Sequence, residues 1–100
     1  MSANLAGTRA LVVGLGKTGW SAVRYLRAQG ASVVVTDSRA APPELAQLRA
    51  EAPAVPVHLG AFDTALLAGA DLIVVSPGVA TRGEFFDAAR ARGLPIVGDV

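Results

Sequence analysis

The chain has 100 residues, 52% of them hydrophobic and 17% charged, with a formal net charge of +1. These values fit one small domain with a packed core and exclude a disordered chain. The near-neutral balance excludes a nucleic-acid binder that works through a broad basic surface, and the absence of cysteine excludes disulfides, thiolate metal sites and a cysteine nucleophile.

Met1 to Gly7 has neither a basic nor an apolar signal-peptide region. The apolar runs that follow are strand length, well short of the ~20 residues that span a bilayer. The expectation is a cytoplasmic, monomeric protein that does not enter a membrane.

Short β-branched runs alternate with Ala/Leu/Arg stretches, the pattern of repeated βα units. Ala10-Leu11-Val12-Val13 reads as the first strand, apolar without alternation and so covered on both faces. A helix follows from about Thr18 to Gln29, with Trp20, Val23 and Leu26 on its apolar face and Gly30 as its stop. Ser32 to Thr36 is the second strand, with Asp37 at its tip. Pro42-Pro43 breaks the chain before a short helix holding Leu45 and Leu48. Val57-His58-Leu59 is a weak third strand, and Phe62, Leu66 and Leu67 mark another short helix. Asp71 to Val75 is the fourth strand, Glu84 to Arg92 the last helix, and Pro95-Ile96-Val97 the fifth strand. This predicts an α/β fold: a Rossmann-like open parallel five-stranded sheet of order 3-2-1-4-5 with helices on both faces. The abrupt Gly98-Asp99-Val100 ending reads as that of a fragment or an excised domain.

The chemistry concentrates at strand ends. Gly14, Gly16 and Gly19 match G-x-G-x-x-G between a strand and a helix. Gly14 allows the sharp turn, Gly16 leaves room for a pyrophosphate at the backbone, and Gly19 allows the helix to pack closely. The free amides and positive dipole end of that helix favour an anion. Lys17 is not a P-loop lysine, because G-x-x-x-x-G-K-[ST] is absent; a solvated side chain and a phosphate contact are equally good readings.

Asp37 lies 18 residues past Gly19. An acid here can bond ribose hydroxyls, which makes NAD the default ligand. Arg39 beside it can stack on a base or pair with a phosphate. Ser76-Pro77-Gly78 ends the fourth strand beside the point where the strand order reverses, where open α/β sheets bind ligands. His58 stands alone, and no metal-spaced cluster or nucleophile–base pair occurs.

Taken together, Val12-Val13-Gly14-Leu15-Gly16-Lys17-Thr18-Gly19, Thr36-Asp37-Ser38-Arg39 with Pro42-Pro43, and Ala70 to Val79 through Ser76-Pro77-Gly78 resemble the N-terminal domain of the Mur ligases. Ile96-Val97-Gly98-Asp99 also fits, and the resemblance is strongest to the members that add D-glutamate. One departure is Thr81-Arg82-Gly83-Glu84, where members often carry a proline.

The resemblance implies a single UDP-binding domain over residues 1–100, with an ATP-binding central domain and a C-terminal domain outside this chain. It implies recognition of UDP-N-acetylmuramoyl-L-alanine, with no cofactor in this domain and with ATP and Mg used elsewhere in the full enzyme. By position, the amides of Lys17 and Thr18 would hold the diphosphate beside Gly14, Gly16 and Gly19. Asp37, Ser38 and Arg39 would frame the uracil, and Ser76, Pro77 and Gly78 would border the phosphate or ribose. Two rivals remain open at this point: the NAD-binding half of an oxidoreductase, and a nucleotide-sensing module without catalysis.

Overall fold

In the computed structural model, residues 5–98 are described; Asp99, the last residue of the family resemblance, lies outside them. Strands β1 (Arg9–Val13), β2 (Ser32–Asp37), β3 (Val57–Leu59), β4 (Leu72–Val75) and β5 (Ile96–Val97) alternate with helices α1 (Lys17–Ala28), α2 (Leu45–Glu51) and α3 (Glu84–Ala91). A 3-10 helix, Thr64–Gly69, links β3 to β4. The strands form one parallel sheet in the order β3-β2-β1-β4-β5, as the sequence predicts.

Alternation along β1 divides the core. Ala10 and Val12 face a cluster built with Trp20, Val23 and Leu26 of α1 and Leu48 of α2. Leu11 and Val13 face the opposite cluster, with Leu67, Phe85, Phe86 and Ala89. Helices therefore cover both faces, and β1 is buried from Ala10 to Val13. Burying each large aliphatic side chain here contributes roughly 1.5–3 kcal/mol.

Phe62, Phe85 and Phe86 pack as a triad with ring centroids 5.1 to 6.1 Å apart. Such pairs add about 0.5–1.5 kcal/mol beyond burial alone.

The element ends differ slightly from expectation. Asp71 stays out of β4 because its carboxylate accepts a hydrogen bond from the Arg9 N–H at 2.9 Å. The segment after Phe62 forms a 3-10 helix, started by Asp63 Oδ1 accepting from the Ala65 N–H. At the non-proline segment, α3 begins after Gly83, whose φ of 103° suits glycine.

The topology sets the site. The chain winds outward from β1 to β3 with α1 and α2 on one face, then crosses back to β4 with α3 on the other. Right-handed crossovers impose that change of face. The connections that leave the paired carboxyl ends of β1 and β4 then run to opposite faces and leave a crevice between them.

Candidate functional site: the carboxyl edge of the sheet

Gly14 leaves β1 with φ +95°, a conformation that L side chains rarely adopt. It is also closely enclosed: an added Cβ would lie 2.9 Å from Val79 Cγ2 and 3.0 Å from Ser76 Cβ. The Ser76 hydroxyl donates to the Gly14 carbonyl at 3.0 Å and ties the β4 end to the turn. Gly19 sits behind the turn, where a Cβ would fall 2.0 Å from the Gly14 carbonyl oxygen. That contact allows α1 to start directly off the turn.

Gly16 differs from both. Nothing lies within 4 Å of where its Cβ would be, and its backbone is extended. The space in front of it is open toward the crevice.

α1 opens without a side-chain cap and without an acidic residue in its first turn. The first intrahelical bond is donated by the Trp20 N–H to Gly16 O at 2.9 Å, so the amides of Lys17, Thr18 and Gly19 precede it. Those of Lys17 and Thr18 stand at the crevice. A twelve-residue helix with an uncapped N-terminus presents donors and positive partial charge there.

The tip of β2 holds the densest polar cluster. Asp37 is 2% exposed, yet both its oxygens are engaged. Oδ2 accepts from the Leu15 N–H at 2.7 Å and from Arg39 Nη2 at 2.7 Å. Oδ1 accepts from the Arg39 N–H at 2.8 Å and from Arg39 Nε at 2.9 Å. Burial pushes the carboxyl up, but the Arg39 guanidinium and the Leu15 and Arg39 amides outweigh it and hold it at about 2. In turn, the Asp37 bond raises the Arg39 guanidinium above its ordinary value. A carboxylate has about four lone-pair sites, and here four donors use them. Asp37 is thus a fixed anchor that joins the glycine turn to Arg39, whose side chain is 52% exposed at the crevice mouth.

The crevice measures about 650 Å³, within the size range of small-molecule sites. Ten of the predicted residues line it: Gly14, Gly16, Lys17 and Thr18 from the turn, Asp37, Ser38 and Arg39 from the β2 tip, and Ser76, Pro77 and Gly78 from the β4 tip. Gly19 does not line it and acts through its packing on Gly14. Phe62, Val79 and Ala80 also line it. The sequence places Phe62 in a short helix with Leu66 and Leu67, whereas Phe62 precedes the 3-10 helix, and it gives Val79 no separate role. Position after Ser76-Pro77-Gly78 was the available signal for Val79, whereas Phe62 reaches the crevice only through the β3–β4 crossover. Among the described residues, no group of three or more His, Asp or Glu is placed to hold a metal ion, and no helix is long and apolar enough to cross a membrane.

Fold and site together define an open, doubly wound α/β domain with an uncapped helix start at its switch point. The chain belongs to the MurD-like N-terminal domain family of the Mur ligases, which matches residues 8–98. It is similar to the UDP-N-acetylmuramoylalanine–D-glutamate ligase of Marinobacter nauticus, at 51% identity over 100% of this chain and 22% of the relative. The ligase of the same name from Nitrosococcus oceani is 51% identical over 90% of this chain and 20% of its own length. That of Methylobacillus flagellatus is 50% identical over 96% and 21%. The chain therefore spans about a fifth of the length of these curated relatives.

Among solved structures, a glyoxylate reductase from Paecilomyes thermophila superposes with a TM-score of 0.53 at 21% identity, covering 80% of this chain and 22% of that one. At that identity the likeness concerns the fold alone.

Proposed function

We propose that this domain holds the UDP end of UDP-N-acetylmuramoyl-L-alanine for a cytoplasmic ligase that joins D-glutamate to the L-alanine carboxylate in peptidoglycan precursor synthesis. The observation that carries the reading is the convergence, in one crevice, of the uncapped α1 amides with an Arg39 already oriented by Asp37. The diphosphate lies against the Lys17 and Thr18 amides, with Gly16 leaving room for it. Arg39 covers the uracil face, with Ser38 beside it. Ser76, Pro77 and Gly78 border the ribose or phosphate side. Asp37 has no acceptor capacity left for a ribose diol, which weighs against NAD.

No nucleophile or general base belongs to this reading of the domain; its part is binding and orientation. ATP and magnesium supply acyl-phosphate activation when bound, and we assign them to regions of the full-length enzyme outside this chain, which contains no G-x-x-x-x-G-K-[ST]. The domain's contribution is to fix the nucleotide tail so that the distant carboxylate is delivered to that chemistry.

Calorimetry with UDP, UDP-N-acetylmuramoyl-L-alanine and NAD tests the proposal. Both uridine ligands should bind more tightly than NAD. A preference for NAD, or no uridine nucleotide bound at millimolar concentration, would overturn it.

A further inference from the structure

A second cleft, of about 500 Å³, opens at the opposite, amino-terminal edge of the sheet, where Arg9 begins β1 and Ser32 begins β2. Leu11, Val34 and Leu66 give it an apolar floor, and Arg9, Arg27 and His58 supply its basic groups. The short 3-10 helix covers the floor only in part, since Val34 and Leu66 remain half-buried.

The cleft has no Asp or Glu in its lining. None of the three basic side chains makes a hydrogen bond or an ion pair among the described residues. The neighbouring Asp71 carboxylate is engaged by the Arg9 N–H at 2.9 Å, and the Arg9 guanidinium lies against Gly69, where an added Cβ would be 3.2 Å from it. Arg27 by itself is explained as a cation in the last turn of α1. A helix end does not explain Arg9 and His58 gathered with it around an apolar floor of ligand size.

We propose that this cleft is a second binding site, for a small organic anion with an apolar body, such as a medium-chain carboxylate. The hydrocarbon lies on Leu11, Val34 and Leu66, and the carboxylate pairs with Arg9 and Arg27. The proposal is independent of the uridine reading, because none of these residues borders the carboxyl-edge crevice.

The test uses the intact protein with octanoate as probe, against octylammonium and 1-octanol as cationic and neutral controls of the same chain length. Octanoate should bind saturably and at least roughly tenfold more tightly than either control, through its charge-assisted contacts. A diazirine-bearing octanoate should label residues 9–11, 32–34 or 66–70 on photolysis. An Arg9→Gln/Arg27→Gln double variant should lose roughly tenfold in octanoate affinity and keep its affinity for UDP. Equal binding of 1-octanol, labelling confined to the carboxyl edge, or no saturable binding would each overturn the proposal. The labelling experiment stands even if the double variant does not fold.

Discussion

Asp37 grips Arg39 through both carboxylate oxygens, taking Nε on Oδ1 at 2.9 Å and Nη2 on Oδ2 at 2.7 Å. A fork-on-fork pair fixes the guanidinium plane as well as its position. One partner is buried and the other half-exposed, so the pair aims a cation at solvent from a rigid base. Arg39→Ala should therefore weaken uridine nucleotide binding by ~1–2 kcal/mol through lost stacking. It should also raise the Asp37 pKa from about 2 toward its ordinary value, because the main lowering partner is gone. Calorimetry reads the first effect and a carboxyl carbon NMR titration the second. Unchanged affinity together with an unmoved pKa would reduce Arg39 to a surface charge.

The same pair predicts an acid limit to stability. Asp37 is depressed in the folded protein, from 3.8 to about 2. A depressed carboxylate contributes stability above its unfolded pKa and loses it as pH falls through the folded one. The contribution is thus complete above pH ~4 and fades toward pH ~2. Its size is about 1–2 kcal/mol once screening of the half-exposed guanidinium is allowed for. Urea unfolding between pH 5 and pH 2 should show this loss in the native sequence. In Asp37→Asn that step should be absent, with stability already lower at pH 7.

Much of this arrangement was legible in the sequence, for reasons that differ by element. The non-alternating Leu11-Val12-Val13 and Ile73-Val74-Val75 runs announce strands covered on both faces, and their alternation with helical stretches announces an open parallel sheet of the Rossmann-like order. The glycine spacing announces the turn. What single positions could not disclose was who bonds whom. Asp37 reads as a ribose ligand from its place alone, but its oxygens are taken by Leu15 and Arg39. Gly19 reads from the motif as a packing glycine and, by resemblance, as a neighbour of the diphosphate; it lies against the Gly14 carbonyl, as the first of these expects. Phe62 is out of reach of local patterning, because only the β3–β4 crossover carries it to the crevice while its ring stays stacked in the aromatic triad.

Two glycines of one motif should separate stability from binding. At Gly19 a Cβ would meet backbone at 2.0 Å, so Gly19→Ala must displace α1 from the turn. A loss of ~2–3 kcal/mol in stability is expected, as for overpacking of a tight core. At Gly16 the Cβ meets nothing within 4 Å and the backbone is one that alanine adopts. Gly16→Ala should change stability by less than ~1 kcal/mol, since the poorer N-cap preference of alanine, roughly 0.5–1 kcal/mol, is offset by the ~0.4–1 kcal/mol gained from the entropy it removes from the unfolded chain. Its cost should appear in UDP affinity, where the methyl group occupies phosphate space. Thermal unfolding beside calorimetry decides it. A Gly16→Ala protein that binds UDP normally would move the diphosphate away from this turn.

Ser76 separates two roles that the motif alone merges. Its hydroxyl has a single proton, and that proton is directed to the Gly14 carbonyl at 3.0 Å. What remains toward the crevice is acceptor capacity, which a phosphate, itself an acceptor, cannot use. The side chain should therefore act by fixing the turn. Ser76→Ala removes one hydrogen bond and leaves the Gly14 carbonyl short of a partner, at a cost of about 1 kcal/mol in stability. UDP affinity should fall less than roughly threefold, as befits a loss of positioning worth under 1 kcal/mol. Unfolding and binding measured on the same variant distinguish the cases. A drop of tenfold or more in affinity with stability intact would mean that Ser76 turns its hydroxyl to the ligand and that the Gly14 bond is given up on binding.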